Sequence, residues 1–176
     1  LRSGNPEPSA MSLATADKSG KVSSRMVLLK EAGPGGFVFF TNYNSRKGKE
    51  IEANPMAALL FFWPELYRQV RIEGILSILG EKESDEYFST RPRNSRISAW
   101  ASPQSEPIPG RVFLDTREKE MKSAFEGKPV PRPPWWGGYL LRPETIEFWQ
   151  GRENRLHDRI RYTQVSGDWK RERLAP

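Results

Sequence analysis

Eight consecutive apolar residues, Met56–Trp63, stand between Pro55 and Pro64. Proline breaks a helix at either end, and eight residues are too few for an ordinary helix, so the run reads as a buried strand. The flanking sequence offers more extended segments. Residues 11–16 and 22–30 are joined by the turn residues Asp17-Lys18-Ser19-Gly20 and read as a hairpin. Residues 37–41, aromatic and β-branched, form a third strand after Gly33-Pro34-Gly35-Gly36. That glycine cluster lacks phosphate-loop spacing and leads into strand-like sequence rather than a helix. Residues 67–79 alternate at first, with Tyr67, Gln69 and Arg71 on one face and Arg68, Val70 and Ile72 on the other, so one face is unusually polar.

Between these strands and the C-terminus the pattern changes. Residues 46–53 predict a short helix capped by the polar stretch 42–45 and ended by Asn54-Pro55. Residues 81–88 are helix formers that stop near Arg91-Pro92, and Asn94 or Ser95 can cap a further short helix through Trp100. Residues 102–110 are a loop, residues 111–126 the longest helical candidate, and the proline-rich residues 127–134 an extended connector. Residues 135–142, 145–150, 158–164 and 169–174 give a second set of strands, with a turn at 165–168. Strands at both ends with helices between predict an α+β fold, a predominantly antiparallel β-barrel with peripheral helices. Residues 1–9 read as a flexible N-terminal tail and residues 10–176 as a single domain.

The absence of cysteine excludes disulfides, thiolate metal sites and cysteine nucleophiles, and a single histidine excludes the two-histidine zinc patterns, so no metal is expected. A net charge of +6 points to anionic partners: nucleic acid, an acidic membrane surface or phosphorylated small molecules. The apolar share of 36% and mean hydropathy of −0.70 leave room for a core completed by a second subunit or a cofactor. The longest apolar run falls well short of the ~20 residues of a membrane-spanning helix. A soluble, cytoplasmic protein is expected, with any import signal preceding Leu1 outside the chain.

One segment, residues 147–159, gathers Trp149, the only histidine and three arginines, Arg152, Arg155 and Arg159. Forked donors beside a flat aromatic wall suit an anionic, planar ligand. Elsewhere Ser45-Arg46-Lys47 opens a predicted helix, where backbone donors and two cations make a plausible phosphate clamp. Tyr87 and Arg91 share a helix face that converges with Ser95 at the start of the next helix, another arrangement suited to phosphate. Read as charges alone, these clusters are equally compatible with solvated strand and helix faces.

The string Glu-Phe-Trp-Gln-Gly-Arg at 147–152, followed by Arg-Leu-His-Asp-Arg at 155–159, resembles the C-terminal signature of the pyridoxine (pyridoxamine) 5'-phosphate oxidases. Arg25-Met26-Val27-Leu28-Leu29-Lys30 resembles that family's first flavin-binding strand. Phe40-Thr41 with Ser45-Arg46-Lys47, then Gln69, then Tyr87, Arg91 and Ser95, then Gln104-Ser105, follow in family order. The resemblance implies a split β-barrel and a homodimer with FMN at the subunit interface. It assigns FMN to Arg25, Met26, Val27, Leu28, Phe40, Thr41, Arg46, Lys47, Gln69, Gln104, Ser105, Trp149 and Arg159. It assigns the substrate phosphate to Lys30, Tyr87, Arg91 and Ser95, and the substrate ring to Arg155, Leu156 and His157, with Arg155 and His157 as the catalytic pair. The implied reaction is oxidation of pyridoxine or pyridoxamine 5'-phosphate to pyridoxal 5'-phosphate, with dioxygen as acceptor and hydrogen peroxide as product. Two alternatives stay open: a split-barrel FMN oxidoreductase acting on another substrate, and a basic nucleic-acid-binding module.

Overall fold

A computed structural model describes residues 6–176, so the first five residues of the expected tail lie outside the described part. The hairpin forms as expected, β1 (Ala10–Ala16) against β2 (Val22–Leu28). A three-residue strand β3 (Glu31–Gly33), too short to register as a hydrophobic period, precedes β4 (Gly36–Asn42). Helix α1 (Arg46–Ala53) begins where the Ser45 hydroxyl accepts the Gly48 N–H. Gly48 is required there, because a Cβ would lie 1.9 Å from the Tyr43 carbonyl oxygen. After β5 (Met56–Trp63) and β6 (Arg68–Ile78) come α2 (Glu81–Thr90), α3 (Arg93–Ala101) and α4 (Arg111–Ala124). The chain closes with β7 (Trp136–Gln150), β8 (Asp158–Val165) and β9 (Asp168–Leu174).

Among the described residues all nine strands join one sheet, ordered β2-β1-β5-β6-β7-β4-β3, with β8 on β7 and β9 on β8, every pair antiparallel. Strand β7 changes neighbours along its length: residues 136–141 pair with β4 and residues 145–150 with β8, while β6 runs along the other side. The sheet closes on an apolar interior. Leu13 faces Leu59, Leu59 faces Ile72 and Ile72 faces Ile146, and the first three are fully buried. Period-two alternation puts each of them inward, and burying one such side chain stabilises the fold by roughly 1.5–3 kcal/mol. Phe39, Phe61, Leu76, Tyr139 and Leu141 complete this core.

Three expectations change. Strand β5 is buried on one face only: Leu59 and Phe61 point inward, whereas Met56 and Phe62 are about half exposed, 48% and 53%. The strands expected at 135–142 and 145–150 are one 15-residue strand, because Pro143 falls opposite the register shift at Glu73/Gly74, where the ladder is already interrupted. Helix α3 starts at Arg93 with Pro92 at its cap and no side-chain cap bond, so Asn94 and Ser95 are already helical. The loose periodicity of the longest helix has a counterpart in α4, none of whose residues is buried. Residues preceding β1 are tied to the sheet, since Ser9 O accepts the Leu29 N–H at 2.9 Å and Pro8 O accepts Trp63 Nε1 at 3.1 Å. No helix among the described residues is long and apolar enough to cross a membrane.

Candidate functional site

The largest cleft, about 740 Å³, is lined from β2, β4, the start of α1, α2, α3, the loop after α3 and the first residue of β7. Eleven of the expected ligand residues meet there: Met26, Val27, Leu28, Lys30, Phe40, Thr41, Lys47, Tyr87, Arg91, Ser95 and Gln104. Three of them, Lys30, Lys47 and Arg91, are cations, and among the described residues no carboxylate lines the cleft. Low-dielectric walls carrying one sign of charge focus the field on an anion.

Each cation is held by local structure. Lys30 follows the end of β2, and its backbone N–H bonds Val38 O at 2.8 Å, which fixes the start of its side chain beside β4. Lys47, in the first turn of α1, is only 8% exposed and donates to Thr41 Oγ1 at 3.0 Å, Ser45 Oγ at 3.1 Å and Gln104 Oε1 at 2.9 Å. All three acceptors are uncharged. Burial, aided by the positive charge of Arg25, lowers the Lys47 ammonium to about 8, so it carries charge at neutral pH at some cost. Arg91 caps α2 and lies over the Trp136 ring at 4.5 Å and the Phe88 ring at 5.5 Å. Its Nη1 is buried with no hydrogen-bond partner among the described residues, and burial lowers the guanidinium pKa from its ordinary value. A buried, unpartnered, charged donor in a cleft calls for an anionic ligand.

The apolar wall is a stack. Phe40 lies on Tyr87 at 4.0 Å and on Trp136 at 5.5 Å, with rings within 16° of parallel. Trp136 was not among the expected site residues. Its signal was the Pro-Pro-Trp-Trp-Gly-Gly string at 133–138, in which an aromatic follows a rigid connector into a strand. Asn42, Ser98 and Ser102 also line the cleft without having been singled out.

The remaining expected residues lie elsewhere. Arg25 faces inward with Ser23 and bonds the Glu50 carboxylate, and Arg46 bonds the same carboxylate from α1. Ser105 sits with φ 73° at an exposed turn beside Gln104. Gln69 and Trp149 are directly opposed in the β6–β7 register and line a separate hollow of about 270 Å³. Trp149 is 13 residues along β7 from Trp136, roughly 40 Å of strand. The two groups line different hollows of the chain.

Around Trp149 the charges are paired. Arg159 grips Glu147 with one bidentate edge, Nε to Oε1 at 2.8 Å and Nη2 to Oε2 at 3.0 Å, while Arg71 Nη2 donates to Oε2 at 3.0 Å. Those hydrogen bonds, Arg159's first, hold Glu147 below the usual carboxylate range although the residue is buried. Arg152 and Arg173 share Asp158. Arg155 is left outside these pairs, on a short 3-10 turn where both Asn154 and Arg155 have positive φ, 56° and 60°. Such left-handed residues are uncommon outside glycine and cluster at functional sites. His157 packs on Trp149 with ring centroids 4.7 Å apart, and its Nδ1 accepts the Arg152 N–H at 3.1 Å. In the neutral imidazole the proton then sits on Nε2, which is left to donate. No cluster of three or more potential metal ligands among His, Cys, Asp and Glu occurs among the described residues.

The chain matches known proteins along nearly its whole length. The family profile described as pyridoxamine 5'-phosphate oxidase matches residues 1–125, and that described as pyridoxine 5'-phosphate oxidase C-terminal dimerisation region matches residues 136–176. A Rubrobacter xylanophilus protein named pyridoxine/pyridoxamine 5'-phosphate oxidase is 60% identical over 176 residues, covering 100% of this chain and 81% of its own. The protein of that name from Microcystis aeruginosa is 58% identical, covering 100% and 83%. Among solved structures, PhzG from Burkholderia lata 383, in complex with tetrahydrophenazine-1-carboxylic acid, superposes with a TM-score of 0.92 at 36% identity, covering 97% of this chain and 83% of that one. A pyridoxamine 5'-phosphate oxidase-related, FMN-binding protein of Nostoc punctiforme shares the fold, with a TM-score of 0.78 at 17% identity, covering 98% and 91%. With both halves matched by the family's profiles and full-length relatives near 60% identity, the chain belongs to the pyridoxamine 5'-phosphate oxidase family.

Proposed function

We propose that this protein is an FMN-dependent oxidase that converts pyridoxine or pyridoxamine 5'-phosphate to pyridoxal 5'-phosphate, and that it works as a homodimer with FMN between the subunits. The observation that carries the reading is the cleft itself: three cations, no carboxylate, a stacked aromatic wall and a buried guanidinium donor with nothing to bind. That donor set fits phosphate monoesters and a flat ring system. Lys47, Thr41 and Gln104, already bonded together, would take the FMN phosphate along with Arg25, Arg46 and Ser105, while Met26, Val27, Leu28 and Phe40 line the flavin. Lys30, Tyr87, Arg91 and Ser95 would hold the substrate phosphate.

The second group, Gln69, Trp149, Arg159, Arg155, Leu156 and His157, would come from the other subunit. Supporting this are its distance along β7, the match of residues 136–176 to a dimerisation region, and large exposed apolar side chains on β2, β5 and β7: Met26, Phe62 and Phe148. FMN, when bound, supplies the two-electron redox chemistry, with dioxygen as the final acceptor and hydrogen peroxide as product. The chain's own part is positioning and electrostatics. Arg155 and the Nε2 donor of His157 orient the pyridine ring and stabilise charge that develops on it, and Arg91 with Lys30 anchors the phosphate. His157 acts as a donor in this arrangement, since its Nδ1 is already committed to the Arg152 N–H.

The test is the visible absorption spectrum of the purified protein through an anaerobic addition of pyridoxamine 5'-phosphate, followed by air. The expected result is a flavin band that bleaches and then returns. A flavin band indifferent to both B6 phosphates would assign the cleft to another substrate. Failure to take up FMN on reconstitution would overturn the cofactor reading.

A further inference from the structure

The cations around the proposed flavin phosphate share one anion that the reading above leaves without a role. Glu50, on α1, is 6% exposed, and its two oxygens divide the neighbourhood between two arginines. Oε1 accepts from Arg46 Nε at 2.8 Å. Oε2 accepts from Thr15 Oγ1 at 2.5 Å, Ser23 Oγ at 2.6 Å and Arg25 Nη2 at 3.2 Å. Arg25 is secured further by Nη1 donating to Leu13 O at 3.2 Å and Thr15 Oγ1 at 2.5 Å, and by Nη2 donating to Ser23 Oγ. A helix carboxylate, hydroxyls from β1 and β2 and a β1 carbonyl thus fix one guanidinium, and the same carboxylate fixes a second.

We propose that Glu50 is a positioning residue of the FMN phosphate site, holding Arg25 through Nη2 and Arg46 through Nε so that the Arg25 Nε–H and the Arg46 Nη groups, with the Lys47 ammonium, are presented to the phosphate. This rests on the flavin reading above. An i,i+4 ion pair on an exposed helix face contributes little by itself. Burial of the carboxylate and its saturation by four donors, the two arginines and the two hydroxyls, set this one apart. The charge balance also fits: Arg25, Arg46 and Lys47 against Glu50 leave a formal +2, the complement of a phosphate monoester near its dianion. Burial by itself would raise the Glu50 pKa, but the bonds from Ser23, Thr15, Arg46 and Arg25 outweigh it and hold the group at about 2. Arg25 in turn lowers Lys47, which puts the two cations within each other's field.

Two effects oppose each other when the charge is removed. Neutralising Glu50 leaves the phosphate site more positive, which favours an anion. Glu50→Gln also replaces an acceptor by an NH2 group that must face a guanidinium, donor against donor, which displaces one arginine. The displacement wins here because an oriented, two-bond donor contributes through geometry as well as charge.

The experiment is equilibrium titration of the full chain, stripped of flavin, with FMN and with riboflavin, which lacks the phosphate. It compares wild type, Glu50→Gln, Arg25→Ala and the double variant. The expected result is FMN affinity weakened about ten- to a hundredfold by Glu50→Gln, the scale on which an outer partner's loss weakens a ligand site. Riboflavin affinity stays unchanged, and the Glu50→Gln effect largely disappears in the Arg25→Ala background. FMN affinity that is unchanged or tighter overturns the proposal, as does an equal loss of FMN and riboflavin, which would mark a purely structural role. Should Glu50→Gln not fold, Glu50→Asp keeps the charge but withdraws it, and must weaken FMN selectively. Wild type that binds neither flavin would overturn the flavin reading itself, a result distinct from a loss confined to the variants.

Discussion

The main cleft and the outer end of β7 are both rich in basic side chains, yet they use them in opposite ways. In the cleft, among the described residues, Lys47 donates only to uncharged oxygens and Arg91 has a buried nitrogen without a partner. Around Trp149, Arg71 and Arg159 share Glu147 while Arg152 and Arg173 share Asp158. The first region keeps positive charge unneutralised for a ligand. The second commits its arginines to ion pairs that fix its shape, and Arg155 and His157 stand outside them. Uncompensated buried charge is costly unless a ligand meets it, whereas a saturated buried carboxylate fixes the arginines around it.

The sharpest test of that division is Arg155→Ala. It removes a basic residue of the outer end that stands apart from the Glu147 and Asp158 ion pairs, so kcat should fall by about a hundredfold or more while FMN affinity holds, as read by steady-state assays beside a flavin titration. Equal loss in both would erase the distinction between binding and chemistry. Next in size is Arg91→Met in the cleft. Loss of one charged hydrogen-bond donor should raise KM for pyridoxamine 5'-phosphate roughly ten- to a hundredfold, with less effect on unphosphorylated pyridoxamine. If both substrates suffer alike, Arg91 is not a phosphate ligand.

Glu147→Gln probes the saturated side. Breaking a network whose carboxylate is 3% exposed and whose Arg159 is 27% exposed should cost about 1–3 kcal/mol, or a Tm lower by several degrees, without changing Lys47-dependent anion binding. The smallest effect is in pH. The ordinary pKa of Glu50, 4.5, is depressed to about 2 by folding, so its stabilising contribution is complete above pH 4.5 and lost as pH falls toward 2. Acid unfolding of wild type and Glu50→Gln should therefore converge across that window, and curves that stay parallel would deny the buried carboxylate its role.

Much of this architecture could be read from short-range pattern. Helix α1 was bounded by Ser45 and Asn54-Pro55, and the β1–β2 hairpin by Asp17 to Gly20, because caps and turns act over a few residues. Membership of one cleft for Lys30, Phe40, Tyr87 and Arg91 was legible only through resemblance, since their spacing alone allowed solvated faces equally well. Pro143 misled for a local reason: proline ordinarily ends a strand, and only the bulge at Glu73/Gly74 on the neighbouring strand, some 70 positions earlier in the chain, makes room for it.

By itself, then, the sequence determined the bounds of α1 and of the β1–β2 hairpin and which face of β6 is polar, and with no cysteine it excluded disulfides. These follow from residue type and period, which act within a turn or a pleat. Only the tertiary structure decided that β5 buries one face, that Trp136 floors the cleft, and that Arg25, Arg46 and Glu50 form one unit. It also decided that β7 carries Trp136 and Trp149 to opposite ends of one strand. Several ion pairs join residues far apart in the chain, 25 positions in Arg25–Glu50 and 76 in Arg71–Glu147. Which carboxylate meets which arginine depends on the register of strands brought together by burial of the core, and no local propensity encodes it.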